Sequence, residues 1–204
     1  MTQTNASPGR PRDPELDERV HAAAARVYGQ VGWAGFNIDA VAREARVGKS
    51  SIYLRWSDAT TLLLDSLESA IDLPYDTDTG SVRGDLVVLA RSIMRLLTGK
   101  NGDVVLRLST EARMVPELSP RWEVFVAANA SSTRRIVRRG VSRGELPAGT
   151  RVPLLLDALF GALLMRCLTT PPSRRARLSR EANQYTEDVV DLVLTSAIVG
   201  TRSH

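Results

Sequence analysis

Residues 48–56 bring a positive charge and several hydrogen-bond donors together within a few positions. Lys49 is a cation, and Ser50 and Ser51 carry short hydroxyl groups. At the first turn of an exposed helix, such groups can reach base edges and the phosphates beside them. The candidate nucleic-acid contacts in this segment are Lys49, Ser50, Ser51, Tyr53, Leu54 and Arg55.

The surrounding residues predict two short helices that would position this segment. Asn37 stands where an N-cap side chain accepts a bond from an otherwise unpaired amide. Residues 46–48 then break the helical pattern, and Ile52 and Trp56 form the buried side of a second helix. Two helices joined by a tight turn are typical of a helix-turn-helix. The first helix has its apolar face at Ile38, Val41, Ala42 and Ala45.

A longer set of positions between residues 32 and 62 follows a known pattern. It comprises Val41, Ala42, Ala45, Val47, Tyr53, Trp56 and Leu62. These residues resemble the signature of the TetR family of bacterial transcriptional regulators. Four positions depart from that signature: Asn37 replaces Thr, Arg46 replaces Gly, Gly48 replaces Ser and Ala59 replaces Lys. The sequence Arg-Gly-Glu-Leu at residues 143–146 is a weaker additional match.

The resemblance implies an all-α protein of about nine helices. A three-helix helix-turn-helix domain would occupy residues 13–57, and a helical ligand-binding and dimerisation domain residues 58–204. Asn37 and Tyr53 would contact phosphates, while residues 49–51 would lie nearer the bases. The expected partners are a double-stranded DNA operator and a small-molecule effector of unknown identity, with no cofactor. The usual family behaviour is repression with ligand-induced release, and activation is the alternative.

Composition is that of an ordinary globular protein. The 204 residues are 43% hydrophobic and 25% charged, and 27 basic against 23 acidic residues give a net charge of +4. The one cysteine, Cys167, agrees with a reducing compartment. We found neither a bilayer-length apolar run nor the apolar stretch of a signal peptide, and therefore expect a cytoplasmic protein with no membrane contact.

Residues 1–12 read as a disordered basic arm before the first helix. Arg10 and Arg12 flank a proline within it. Arginine is attracted to the negative potential of a narrow minor groove, so this arm is a candidate DNA contact. A solvated tail is the equally simple alternative.

The last two helices are the candidate dimer interface, because small residues alternate with leucines there and a partner helix could approach closely. A symmetric dimer would also supply the second reading head that two half-sites require. Packing within one chain is the alternative interpretation. The candidate interface residues are Leu155, Ala158, Leu159, Ala162, Leu163, Val189, Leu192, Val193 and Ser196.

The central helices are expected to enclose an apolar pocket with few polar anchors. Methionines and aromatics at helical spacing are more often simply core, which is the competing interpretation. The candidate ligand-binding residues are Met94, Leu97, Leu106, Trp122, Phe125, Phe160, Met165 and Arg166. The arginines between residues 134 and 143 are interpreted as a solvated helix face.

Two other classes of protein remain as alternatives. A helical dimeric adaptor could keep the helix-turn-helix only as scaffold. A small enzyme is disfavoured, because nucleophile elbows, phosphate loops and Cys-x-x-Cys pairs are absent. No metal site is expected, since His21 has no partner at ligand spacing.

Overall fold

The computed structural model describes residues 14–71, 73–74 and 76–200, and this part of the chain contains helices and no strands. A single 3₁₀ turn, Pro172–Arg174, precedes the last helix. The predicted all-α fold of about nine helices is confirmed. The helices are α1 (Pro14–Gly35), α2 (Ile38–Ala45), α3 (Lys49–Tyr53), α4 (Ala59–Ala70), α5 (Val82–Thr98), α6 (Gly102–Glu111), α7 (Ser119–Ser142), α8 (Val152–Thr169) and α9 (Arg175–Gly200).

The chain divides into two units between Ser66 and Leu67, within α4. Unit 1 holds α1 to α3 and the start of α4. Gly32 interrupts the helical backbone of α1 with a φ of 68°, which glycine adopts without steric cost. Val31, just before this break, is 50% exposed. The core of unit 1 includes Val20, Ala24, Tyr28, Phe36, Val41, Ile52, Trp56, Leu62 and Leu63.

The start of α4 is capped by Asp58, as its position before the helix predicts. Its Oδ1 accepts a hydrogen bond from the backbone N–H of Thr61 at 2.7 Å. The hydroxyl of Ser57 donates to the other carboxylate oxygen at 2.6 Å. The bond from Ser57, followed by that from Thr61, lowers the pKa of Asp58. This cap supports the helix that continues directly from the candidate DNA-binding segment.

Unit 2 is organised around α5, which packs against α6, α7, α8 and α9. Its apolar residues recur at helical spacing, so one side of α5 is fully buried. Ser81 caps the helix by accepting a bond from the N–H of Gly84 at 3.1 Å. The shared core includes Leu86, Leu89, Ala90, Met94, Ile136, Val137, Leu159, Leu163 and Val190.

A buried carboxylate, Asp85, anchors the start of α5 to α7. Its side chain is fully inaccessible, and Thr79 donates to it from both the backbone N–H and the hydroxyl, at 2.6 and 2.8 Å. Arg139 Nη2 donates to the same carboxylate at 2.7 Å. Burial alone would raise the pKa of Asp85, but the bonds from Thr79 and Arg139 outweigh it and the pKa is lowered. The interpretation of Arg139 as part of a solvated face is therefore wrong.

The Arg-Gly-Glu-Leu segment completes this network. Arg143 Nη2 donates to both carboxylate oxygens of Asp78 at 2.6 Å. Glu145 Oε2 accepts the backbone N–H of Val82 at 2.6 Å and so caps the first turn of α5. Arg143 thus binds an acid of the preceding loop rather than forming a solvated face.

Helix α8 is largely apolar, with Asp157 and Arg166 as its charged residues. With 18 residues and a mean hydropathy of 1.7, it is long and apolar enough to cross a membrane by length and composition alone. The statement that the sequence holds no such run is therefore wrong. Core helices of globular proteins satisfy the same criterion, and Leu155, Leu159 and Leu163 of α8 are buried within unit 2.

Candidate nucleic-acid interface

Helix α2 is fixed at both ends by backbone and side-chain bonds. Asn37 Oδ1 accepts the N–H of Ala40 at 2.8 Å, and its Nδ2 donates to the carbonyl of Gly35 at 3.1 Å. The predicted N-cap is confirmed. At the other end, Arg46 adopts the left-handed conformation, with φ 57° and ψ 45°. Its N–H returns to the carbonyls of Ala42 and Arg43, which ends α2 and turns the chain toward α3.

Helix α3 is short and presents two different sides. Ile52 is fully buried and Trp56, just beyond the helix, is 4% exposed, so both hold α3 against unit 1. On the opposite side Tyr53 is 56% exposed and Leu54 is 83% exposed. Lys49 and Ser50 are exposed as well, while Ser51 is half-buried. The outward side of α3, defined here as Lys49, Ser50, Tyr53 and Leu54, is accessible to a binding partner.

Lys49 is held by a carboxylate from the neighbouring helix. Its Nζ lies 2.5 Å from Oδ2 of Asp39, and both side chains are more than half exposed. An ion pair this exposed contributes at most about 1 kcal/mol to stability. Lys49 can therefore exchange Asp39 for a phosphate at small cost, while Asp39 itself would repel the phosphate backbone.

Arg55 lies elsewhere than predicted. Its Nε is 2.5 Å from Oδ1 of Asp17 in α1, and Nη1 donates to the carbonyl of Ser51 at 3.2 Å. The side chain is only 18% exposed. Arg55 thus ties α3 to α1 within unit 1, and its placement among the outward contacts is corrected. Asn37 likewise uses its side chain for capping, and Arg10 and Arg12 lie outside the described residues.

Two arginines beside α3 were missed in the analysis of the sequence. Arg43 near the end of α2 and Arg46 in the turn are both exposed. Neither forms an ion pair with another residue that the structure describes. Both positions lie outside the apolar face of α2, so the sequence already indicated that these arginines would be exposed. With Lys49 they supply the positive charge that phosphate contact requires.

His21 and Trp56 support α3 from beneath. The two rings meet edge to face at 5.3 Å, and the indole N–H of Trp56 donates to Asp65 at 3.0 Å. Burial lowers the pKa of His21, although Asp17 and Asp65 act in the opposite direction. The neutral imidazole is therefore the form that suits this packing. Within the residues that the structure describes, no cluster of three or more His, Cys, Asp or Glu side chains could hold a metal ion.

The predicted dimer residues separate into two groups in unit 2. Ala158, Leu192 and Ser196 are exposed, and Ala162 is half-buried. The others are buried in the core of their own chain, so their assignment to an exposed interface is corrected: Leu155, Leu159, Leu163, Val189 and Val193. The prediction placed residues from the buried side and the exposed side of α8 in one interface.

A different stripe of α8 carries the exposed apolar surface. Its residues follow helical spacing and are all exposed: Leu154, Ala158, Gly161, Met165 and Leu168. A groove of about 820 Å³ runs beside it, lined by residues 147–151 and by positions of α8 and α9. Leu192 of α9 lines the same groove and is 66% exposed. We call this surface, Leu154 to Leu168 with Leu192, the α8–α9 face.

The predicted ligand residues do not converge on one cavity. Met94 is fully buried, with the Cys167 thiol 3.8 Å from its sulfur. Leu97 and Phe160 pack against the same core. Leu106, Trp122 and Phe125 are half-buried, and the last two rings stack at 5.4 Å.

The remaining two ligand candidates lie on the surface. Met165 belongs to the α8–α9 face, and it is 58% exposed. Arg166 is exposed, with its guanidinium 5.2 Å from the ring centre of Tyr185. Burial, the main influence there, raises the pKa of Tyr185. Neither residue lines a central pocket, so both predictions are corrected.

A separate cavity of about 350 Å³ lies beside the turn between α5 and α6. Arg95 and Lys100 supply its charge. Ser92 is buried and accepts a bond from Arg95 Nη2 at 2.8 Å. The remaining lining residues are Ala70, Leu96, Gly99 and Asn101. Nothing in the sequence pattern had marked this cavity.

Comparison with known proteins agrees with the two units. The family model described as bacterial regulatory proteins, tetR family, matches residues 21–65, and a tetracyclin repressor-like C-terminal domain matches residues 76–193. The HTH-type transcriptional regulator YdeS of Bacillus subtilis strain 168 is 28% identical over 164 residues, covering 79% of this chain and 83% of YdeS.

Solved structures share the fold at lower identity. MexZ, described as a repressor responsible for antibiotic resistance in Pseudomonas aeruginosa, has 22% identity and a TM-score of 0.67, covering 91% of this chain and 96% of its own. FadR from Bacillus subtilis, in complex with stearoyl-CoA, has 17% identity and a TM-score of 0.64, with 89% and 97% covered. The two matched domains, in chain order and over most of the sequence, show that this chain belongs to the TetR family and is a helix-turn-helix transcriptional regulator.

Proposed function

We propose that this regulator is a homodimeric repressor in the cytoplasm, which binds a double-stranded DNA operator and is released from it by a small molecule. The observation that carries the proposal is the outward side of α3. Its polar, cationic and aromatic side chains are exposed although Ile52 of the same short helix is fully buried. Side chains that protrude in this way can enter a major groove while neighbouring cations bind phosphates.

The direct test removes two of these contacts together. We expect the variant Lys49→Ala with Tyr53→Ala to lose about 30- to 150-fold in operator affinity, since losing specific contacts of this kind costs about 2–3 kcal/mol. Both side chains are exposed, so folding and dimerisation should be unchanged. Arg138→Ala, which removes an exposed cation of α7, is the matched control.

Selection of bound sequences from random DNA supplies the operator, and titration at several salt concentrations gives the affinities. A regulator that contacts phosphates loses affinity steeply as salt rises. Salt-independent binding would favour the adaptor alternative. Wild-type affinity in the double variant would contradict the assignment of α3.

The dimer is supported by the α8–α9 face. A contiguous apolar surface of this kind on a globular chain marks an interaction site. A β-carbon added at Gly161 meets no atom within 4 Å beyond its chain neighbours and the backbone of its own helix. Gly161→Arg therefore leaves the subunit intact but places a charge in the proposed interface.

We expect Gly161→Arg to be monomeric by sedimentation and to bind the operator far more weakly, because one subunit reads only one half-site. Ser131→Arg on the exposed side of α7 is the control and should remain dimeric. If Gly161→Arg stays dimeric with unchanged affinity, the interface lies elsewhere.

The effector is supported by the cavity beside the α5–α6 turn. Arg95 and Lys100 line it, and none of the lining residues that the structure describes is a carboxylate, so an effector with an anionic group is favoured. Such a ligand would weaken operator binding only through its higher affinity for a DNA-incompetent conformation. A screen of anionic small molecules, acyl-CoA among them, should find compounds that release the operator. A compound that releases wild type and Arg95→Ala equally would exclude this cavity.

A further inference from the structure

Leu54 is the most exposed large apolar residue in the described part of unit 1. Its side chain and backbone are 83% accessible, against 56% for Tyr53 and 50% for Val31. Its backbone N–H donates to the carbonyl of Ser50 at 3.0 Å, so the two residues lie one turn apart on the outward side of α3. Folding leaves most of the surface of this leucine available to whatever α3 binds.

The chemistry of the DNA grooves limits what an apolar side chain can recognise there. Base edges in the major groove are donors and acceptors, with one apolar group among them, the C5-methyl of thymine. The neighbours of Leu54 on α3 are hydroxyl and ammonium groups, which suit the polar edges and the phosphates. Burying Leu54 against a polar base edge would gain little free energy, because leucine offers no hydrogen bond. Burying it against a methyl group would gain more than for any other side chain on this surface.

We propose that Leu54 is a specificity-determining residue that packs on the C5-methyl of one thymine in each operator half-site. The assignment rests on the proposed operator binding and adds the base that one side chain reads. Burial of one methyl group contributes about 0.8 kcal/mol, which corresponds to about fourfold in affinity per half-site. With both half-sites changed, the effect is about fifteenfold.

The test removes the methyl group and the leucine independently. Each thymine pair of the selected operator is replaced by deoxyuridine, which lacks the methyl but keeps every hydrogen-bonding group. For wild type we expect one symmetry-related pair of positions at which the replacement weakens binding about fifteenfold. For Leu54→Ala the same replacement should have no effect. Arg138→Ala, at an exposed position of α7, is the control, and it should keep the deoxyuridine sensitivity of wild type.

The outcomes separate this inference from the operator binding on which it rests. If wild type selects no sequence, both are wrong. If it selects an operator but no thymine responds to deoxyuridine, the methyl contact is wrong and operator binding stands. If the response persists in Leu54→Ala, another residue reads the methyl. If Leu54→Ala weakens every sequence equally, the leucine lies against the sugar-phosphate backbone and the proposal is overturned.

Discussion

Replacing Arg46 by glycine should stabilise the protein and lower its affinity for operator DNA. Arg46 has φ 57°, and it is the only residue other than glycine with positive φ in the described part of the chain. The left-handed conformation costs an L-residue roughly 1–2 kcal/mol, a cost that glycine avoids. Glycine in turn has more freedom in the unfolded chain, which costs about 0.4–1 kcal/mol. The difference predicts a net gain of about 0.5–1 kcal/mol for Arg46→Gly.

The assays are urea and thermal unfolding, each followed by circular dichroism and tryptophan fluorescence. A gain of this size raises the thermal midpoint of a chain of this length by about 1–4 °C. Arg46→Ala is the informative control, because alanine removes the cation but keeps the β-carbon that is strained at this φ. We expect it to have the stability of wild type. Equal stability of the glycine and alanine variants would refute the argument from backbone strain.

Operator binding supplies the second half of this prediction. Both variants lose the exposed guanidinium, so both should weaken binding to the same extent. The dependence of log affinity on log salt should become shallower by about 0.9 for each phosphate contact removed. Unchanged salt dependence in both variants would show that Arg46 does not contact the phosphate backbone, whatever its effect on stability.

Three further expectations follow from the ion pairs and the half-buried His21. Asp39→Asn removes the acid beside Lys49, so operator binding should tighten and its salt dependence steepen in titrations; weaker binding would mean that Asp39 positions Lys49. Asp85→Ala should lower the free energy of unfolding by about 2–4 kcal/mol, because Arg139 loses its buried partner. The lowered pKa of Asp85 means that its contribution is present above about pH 4 and is lost at lower pH as the folded-state pKa is crossed, so urea midpoints of wild type and variant should converge in acid. The lowered pKa of His21 means that the unfolded chain binds the proton first, so stability should fall as pH drops below about 6.5. His21→Gln should make the free energy of unfolding less dependent on pH between pH 7.5 and 5.5. An unchanged slope would assign the dependence to other groups.

The elements that could be predicted from the sequence are those set by local interactions. The cap at Asn37, the turn at residues 46–48 and the buried side of α3 each depend on residues within one or two helical turns. Gly99 ends α5, and Asp58 opens α4, as their positions indicate. Such signals need no knowledge of what the rest of the chain does.

The errors arose where a distant residue decides the outcome. Arg55 reads as an outward cation until Asp17 of α1 is brought to 2.5 Å from it. Arg139 reads as solvated until the buried carboxylate of Asp85 meets it. The choice of buried side in α8 failed for a related reason, because a helix apolar on both sides gives no amphipathic signal to separate core from interface.

The fold of unit 1 is kept although four positions depart from the family pattern. Asn37 supplies the same capping acceptor as the threonine it replaces. Gly48 starts α3 in an extended conformation without a side-chain cap, so Ile52 and Trp56 rather than a capping bond must hold that helix. Ala59 leaves the start of α4 without a lysine, while Asp58 still caps it. The change at Asn37 therefore keeps its capping bond, whereas those at Gly48 and Ala59 remove a polar group at the surface. The buried contacts of unit 1 stay in place. Arg43 and Arg46 supply exposed cations beside α3, whereas position 59 supplies none.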